Sequence, residues 1–285
     1  MECKTKKALA IHDLSCFGRC ALTVVLPTLS RFGIQAIPLP TALLSTHTGG
    51  FEDIFFQDMT DQMLEISAHL ATLDISLDAV YSGFLGSARQ IHAVEKILAD
   101  LANPRTLCLV DPVMGDDGKL YSTYDDELVK GIRHLSKRAH ILTPNLTEAC
   151  LLTGSEYPDL SLLSAKEIRA KLKALSLKLS ENSPYADISI TGIPTSGRML
   201  TVSFSKDGTF CEHETDLCPV SFPGTGDLFS SLLLCAVMEG KSFHEAVEYA
   251  AINTTEAVRI SQNVDEPVRN GVLLEQFLKD GILEL

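Results

Sequence analysis

The chain has 285 residues, 45% hydrophobic and 21% charged, a globular composition with enough apolar material for a packed core. Its 24 basic against 37 acidic side chains give a net charge of −13, which repels nucleic-acid phosphates and anionic membrane surfaces. No run approaches the ~18 apolar residues of a membrane span, and the first apolar run stops at His12 and Asp13, too soon for a signal-peptide core, so a cytoplasmic protein is expected.

Short apolar runs predict strands at 9–12, 35–39, 79–82, 107–111, 140–142 and 187–191. Between them, helical periodicity predicts helices at 20–32, 58–73, 88–101, 125–135 and 165–179. Pro27 should kink the first helix or mark a local start, and Gly33 should close it. After residue 191 the pattern reads as a hairpin, 199–204 and 209–210, around Asp207-Gly208. Helices at 227–238, 243–260 and 272–279 complete the chain. The alternation implies one three-layer α/β/α domain over 1–285, with a mainly parallel sheet and an antiparallel hairpin at one edge. The eight cysteines contain no C-x-x-C pair and are read as mostly core thiols.

Three segments carry chemistry. Phe222-Pro223-Gly224-Thr225-Gly226-Asp227 opens an apolar helix, where unpaired N–H groups and the helix dipole favour an anion that glycines allow to approach closely. The bland alternative is a capped helix in which Asp227 satisfies first-turn N–H groups. Asp111-Pro112-Val113-Met114-Gly115-Asp116 follows an apolar strand, and its carboxylates are hard ligands suited to Mg²⁺ or its waters. Thr143-Pro144-Asn145-Leu146-Thr147-Glu148 follows the next strand; Asn145 and Glu148 supply further oxygens, unless Asn145 or Thr147 merely caps a helix. Together the segments describe a Mg-nucleotide site facing an anion hole. No G-x-x-x-x-G-K-[ST] loop, protein-kinase motif set, dinucleotide fingerprint or H-E-x-x-H is present.

In this order, DPVMGD, TPNLTE and PGTGD resemble the ribokinase-like superfamily, and within it the vitamin kinases that phosphorylate pyridoxal and its relatives. The likeness spans nearly the whole chain, with LAIHDLSCFG, LLSTHTGGF, SGFLGS and SITG as further matching segments. The G-G-N segment of the sugar and nucleoside kinases is missing, since Phe51 follows Gly49-Gly50.

The resemblance implies ATP as co-substrate, Mg²⁺, a B6 vitamer as substrate and a homodimer. It makes Asp227 the base for the substrate hydroxymethyl group, with the N–H groups of Gly224, Thr225 and Gly226 holding the developing phosphoryl charge. Asp111 and Glu148 would organise Mg²⁺ through waters. Asp116, Asn145 and Thr191 would face the phosphates, while Thr48 and Phe84 would line the ring pocket.

One departure concerns Asp13, which stands where those kinases carry a ring-contacting serine, although Phe17-Gly18 keeps their aromatic-glycine pair. Two other readings stay open: a hydroxymethylpyrimidine kinase, whose substrate is also an aromatic ring with a hydroxymethyl group, and a non-catalytic ligand-binding protein on the same fold. Residues 45–52 and the turn at Asp207-Gly208 are candidate lids, because phosphoryl transfer must exclude water.

Overall fold

The computed structural model describes residues 4–281. Among them, nine strands form one sheet in the order β11-β10-β9-β8-β5-β4-β1-β2-β3. Its parallel centre comprises β1 (Lys7–Phe17), β2 (Gln35–Thr46), β4 (Ala79–Ser82), β5 (Leu107–Val110), β8 (Ile141–Leu142) and β9 (Asp187–Thr195). The antiparallel strands β10 (Arg198–Phe204) and β11 (Phe210–Asp216) close one edge, as expected. Short β3 (Phe56–Asp58) adds an unexpected antiparallel strand at the other. A separate two-stranded hairpin, β6 (Gly115–Asp116) and β7 (Lys119–Leu120), rises from the acidic loop after β5.

Helices cover both faces. One apolar layer joins the sheet to α2 (Thr60–Ala71), α3 (Ala88–Leu101), α4 (Asp126–Ser136), α5 (Leu146–Thr153) and α6 (Ala165–Asn182). The other joins it to α1 (Leu22–Arg31), α7 (Thr225–Met238), α8 (Phe243–Ser261) and α9 (Leu274–Asp280). The central strands are covered on both sides, which is why each reads as an apolar run without alternation.

Chain order reverses at β1, which pairs with β2 on one side and β4 on the other. Such a switch point opens a crevice at the strand C-termini, and all the chemical segments found in the sequence gather at that end.

Pro27 lies inside α1, five residues after its start at Leu22, and the helix is buried through Leu22, Val24, Val25 and Leu29. Two expectations are corrected. Of the cysteines, Cys108, Cys150 and Cys235 are buried, whereas Cys16 is exposed and Cys20, Cys211 and Cys218 are half-buried; Cys3 lies outside the described residues. Cys211 sits on an edge strand, and Cys16 is near the outer end of β1, where the core no longer covers it. The Asp207-Gly208 turn joins the end of β10 to β11, and the Lys206 N–H donates to Asp187 at the start of β9. That places the turn at the opposite end of the sheet from the crevice, so it is no lid.

Candidate active site

The anion-hole candidate forms as the glycines suggest. Gly224 caps α7 in the left-handed region, φ 83°, and a Cβ there would overlap the Arg19 carbonyl oxygen. Helix α7 therefore begins at Thr225, two residues earlier than the sequence suggested, with Gly226 and Asp227 in its first turn. Their N–H groups precede the first intrahelical bond, from the Leu228 N–H to the Gly224 carbonyl at 2.9 Å. A Cβ on Gly226 would meet nothing within 4 Å, so this backbone is open to an approaching group.

Asp227 is not consumed as a helix cap. Its Oδ2 accepts the N–H of Ala21 at 2.8 Å, across the chain from α7. Ala21 pays for this with φ 48° and ψ −129°, a strained conformation for a residue with a side chain. The Asp227 side chain keeps 17% of its surface exposed, and burial raises its carboxyl pKa to about 7, with the charge of Asp13 adding to the rise and the Ala21 N–H opposing it.

Asp111 is buried at the end of β5, where Oδ2 accepts the Ser230 hydroxyl of α7 at 3.2 Å; Ser230 lies 2.9 Å from the Thr143 hydroxyl. Burial and then the charge of Asp227 lift Asp111 to about 8. Glu148 is also buried, and it and Asn145 form a capping box at the start of α5. Glu148 accepts the Met114 N–H at 3.1 Å and the Asn145 N–H at 2.8 Å. Its carboxyl stands well above the usual carboxylate range, through burial first and the charge of Asp111 second. Asn145 is thus a cap and also a bridge: its Nδ2 donates to the Gly115 carbonyl at 2.8 Å, and its backbone pairs with Thr191 in the middle of β9, which runs on past the strand end expected at 191.

No basic side chain pairs with Asp111 or Glu148 among the described residues, yet buried carboxylates need positive charge nearby. No group of three or more His, Cys, Asp or Glu side chains there would enclose a metal. Two buried, unpaired carboxylates are a donor set that fits a hydrated Mg²⁺ bound through its waters.

The remaining predicted residues sit on other elements. Asp116 is in the β6–β7 hairpin, its carboxyl raised by burial and its Oδ1 accepting the Asp117 N–H at 2.9 Å. Asp13 is buried where the β1–β2 register slips, accepts the Ser15 hydroxyl at 3.0 Å and is lifted by burial to about 6. Phe84 packs edge-on against Tyr124, whose hydroxyl is pushed upward by burial and then by Glu148. Thr48 is exposed. Its neighbour His47 is tied to the Arg269 carbonyl at 2.7 Å, and Arg269 lies over the Phe51 ring, so residues 47–51 are anchored to the turn before α9.

The sequence reading missed Ala21, Ser230 and His12. Ser230 was detectable, because with Asp227 it puts a second polar residue on one face of an otherwise apolar helix, three positions on. His12 interrupts an apolar strand, whereas nothing local marks the backbone N–H of Ala21.

Residues 22–270 match the family model of phosphomethylpyrimidine kinase. A pyridoxine/pyridoxal/pyridoxamine kinase of Bordetella avium is 29% identical over 268 residues, covering 90% of this chain and 86% of that protein. A Bacteroides thetaiotaomicron protein assigned to the phosphomethylpyrimidine kinases and crystallised with pyridoxal is 37% identical, with TM-score 0.89 and coverage of 97% of this chain and 96% of that one. Pyridoxal kinase of Lactobacillus plantarum superposes with TM-score 0.86 at 26% identity, covering 97% and 96% of the two chains.

Proposed function

The chain belongs to the phosphomethylpyrimidine kinase family, and from that membership and the site we propose that it transfers the γ-phosphoryl group of ATP to the 5′-hydroxymethyl group of pyridoxal, pyridoxamine or pyridoxine. The observation that carries the reading is Asp227 in the first turn of α7, a carboxyl lifted to about 7 beside open backbone N–H groups and within the electrostatic reach of Asp111. The B6-vitamer kinases among its relatives, and the Bacteroides relative holding pyridoxal, support the substrate class.

In this reading Asp227 accepts the hydroxymethyl proton as the oxygen attacks the γ-phosphorus, since a base titrating near the working pH suits that task. The N–H groups of Gly224, Thr225 and Gly226 then face the charge on the transferred group. Asp111 and Glu148 would organise Mg²⁺ through its waters, and Asp116, Asn145 and Thr191 would orient the phosphates. When bound, Mg²⁺ offsets the charge on the phosphate oxygens. Asp13, Thr48 and Phe84 line the ring pocket, and the active form is a homodimer working in the cytoplasm.

The family description favours one second reading, the hydroxymethylpyrimidine kinase. A coupled ADP-release screen with pyridoxal, pyridoxamine, pyridoxine and hydroxymethylpyrimidine separates them: the proposal expects turnover with at least one B6 vitamer. Turnover with the pyrimidine alone transfers the assignment to the second reading, and ADP release with none of the four leaves a ligand-binding protein.

A further inference from the structure

His12 lies inside β1 at the switch point, just before the β1–β2 register slips, fully buried, and neither ring nitrogen has a hydrogen-bond partner among the described residues. Buried polar groups are almost always paired, so a doubly unpaired imidazole asks for an explanation. The ring is held from two sides. Tyr81 of β4 packs edge-on at 4.2 Å between centroids, and a Cβ on Gly83 would overlap Nδ1 and Cε1. Its Nδ1 lies 3.9 Å from Oδ1 of Asp227, the oxygen that Ala21 does not hold. Burial pushes the His12 pKa down to about 3, so the ring is neutral and has one N–H to give.

We propose that His12 is a positioning residue for Asp227: with its hydrogen on Nδ1, the ring donates to Oδ1 and, together with the Ala21 N–H on Oδ2, fixes the plane of the carboxylate. This rests on Asp227 being the base. Closing the gap to hydrogen-bond length takes a movement of about 1 Å. The His12 ring is clamped, so the movement belongs to the partly exposed Asp227 side chain. Each carboxylate oxygen has two lone-pair positions, so both can accept a protein donor and still leave a place for the substrate hydroxyl. No proton passes to His12; it orients the acceptor.

Nitrogen NMR of the histidine-labelled wild-type protein tests the tautomer directly. The proposal requires a protonated Nδ1 and a bare Nε2 on His12, and the opposite tautomer overturns it. Kinetics give an independent test, because an asparagine amide nitrogen falls near Nδ1 of the histidine it replaces and a glutamine amide nitrogen near Nε2. His12→Gln should lower kcat at least about tenfold with KM for ATP within about twofold, while His12→Asn should stay within about threefold of wild type. In an Asp227→Asn background, His12→Gln should add nothing further. Equal losses in His12→Asn and His12→Gln, or wild-type turnover in both, refute the positioning role while leaving Asp227 as the base. Failure of the base assignment shows separately, as an Asp227→Asn enzyme that still turns over.

Discussion

Replacing Asp227 by Asn should cost turnover and gain stability, and the two effects come from the same environment. Burial raises the carboxyl from its ordinary 3.8 to about 7, so folding forces a carboxylate into surroundings that disfavour its charge. A pKa raised on folding contributes stability that is full below the unfolded value and is lost as pH rises through the folded one. At about 1.4 kcal/mol per unit the whole shift would be worth about 4 kcal/mol, and the side chain's residual 17% exposure brings the expectation to about 2 to 3 kcal/mol. The variant should therefore melt like wild type near pH 4 and about 3 to 5 °C above it at pH 8. The amide oxygen can still accept the Ala21 N–H, so the strained turn keeps its bond. The amide cannot accept the hydroxymethyl proton, and kcat should fall by about 10² to 10⁴. Thermal melts across that pH range, paired with initial rates on pyridoxal, measure both effects. A variant that keeps more than about a tenth of wild-type kcat, or whose melting advantage does not grow with pH, refutes the reasoning.

Glu148→Gln should raise the Mg²⁺ concentration needed for half-maximal rate, because one of the two buried carboxylates loses its charge; an unchanged Mg²⁺ titration removes Glu148 from the metal site. Gly226→Ala should melt at or slightly above wild type, since its Cβ meets nothing within 4 Å and alanine is the better helix former, while its kcat falls because the methyl group occupies the approach to the N–H groups; full activity would place the phosphoryl elsewhere. Asp13→Ser should lower kcat/KM for pyridoxamine relative to pyridoxal, because the buried carboxylate at this position suits a cationic substrate group; an unchanged ratio assigns Asp13 to its bond with Ser15 alone.

Layers, parallel centre and antiparallel edge were legible because each central strand is an apolar run ending in polar residues and the intervening helices keep their period. Strand lengths were not: β1 runs on to Phe17 and β2 to Thr46, through residues whose pairing with each other is not a local property. Helix α5 hid behind Asn145 and Glu148, which look equally like ligands and like a capping box, and in the structure they form that box while Glu148 also faces Asp111. The carboxylates of the candidate site stood out through their glycine and proline neighbours. What holds them was legible only in part: Ser230 shows as a polar residue on an apolar helix, but that its hydroxyl reaches Asp111, and the Ala21 N–H reaches Asp227, follows only from tertiary packing.

Product identity tests the central claim most directly. After incubation of the protein with ATP, Mg²⁺ and pyridoxal, phosphorus NMR and product mass should show one 5′-phosphate ester formed for each ADP released, and neither product should appear with the Asp227→Asn variant. ADP released without the ester, or an ester formed equally well by that variant, would contradict it.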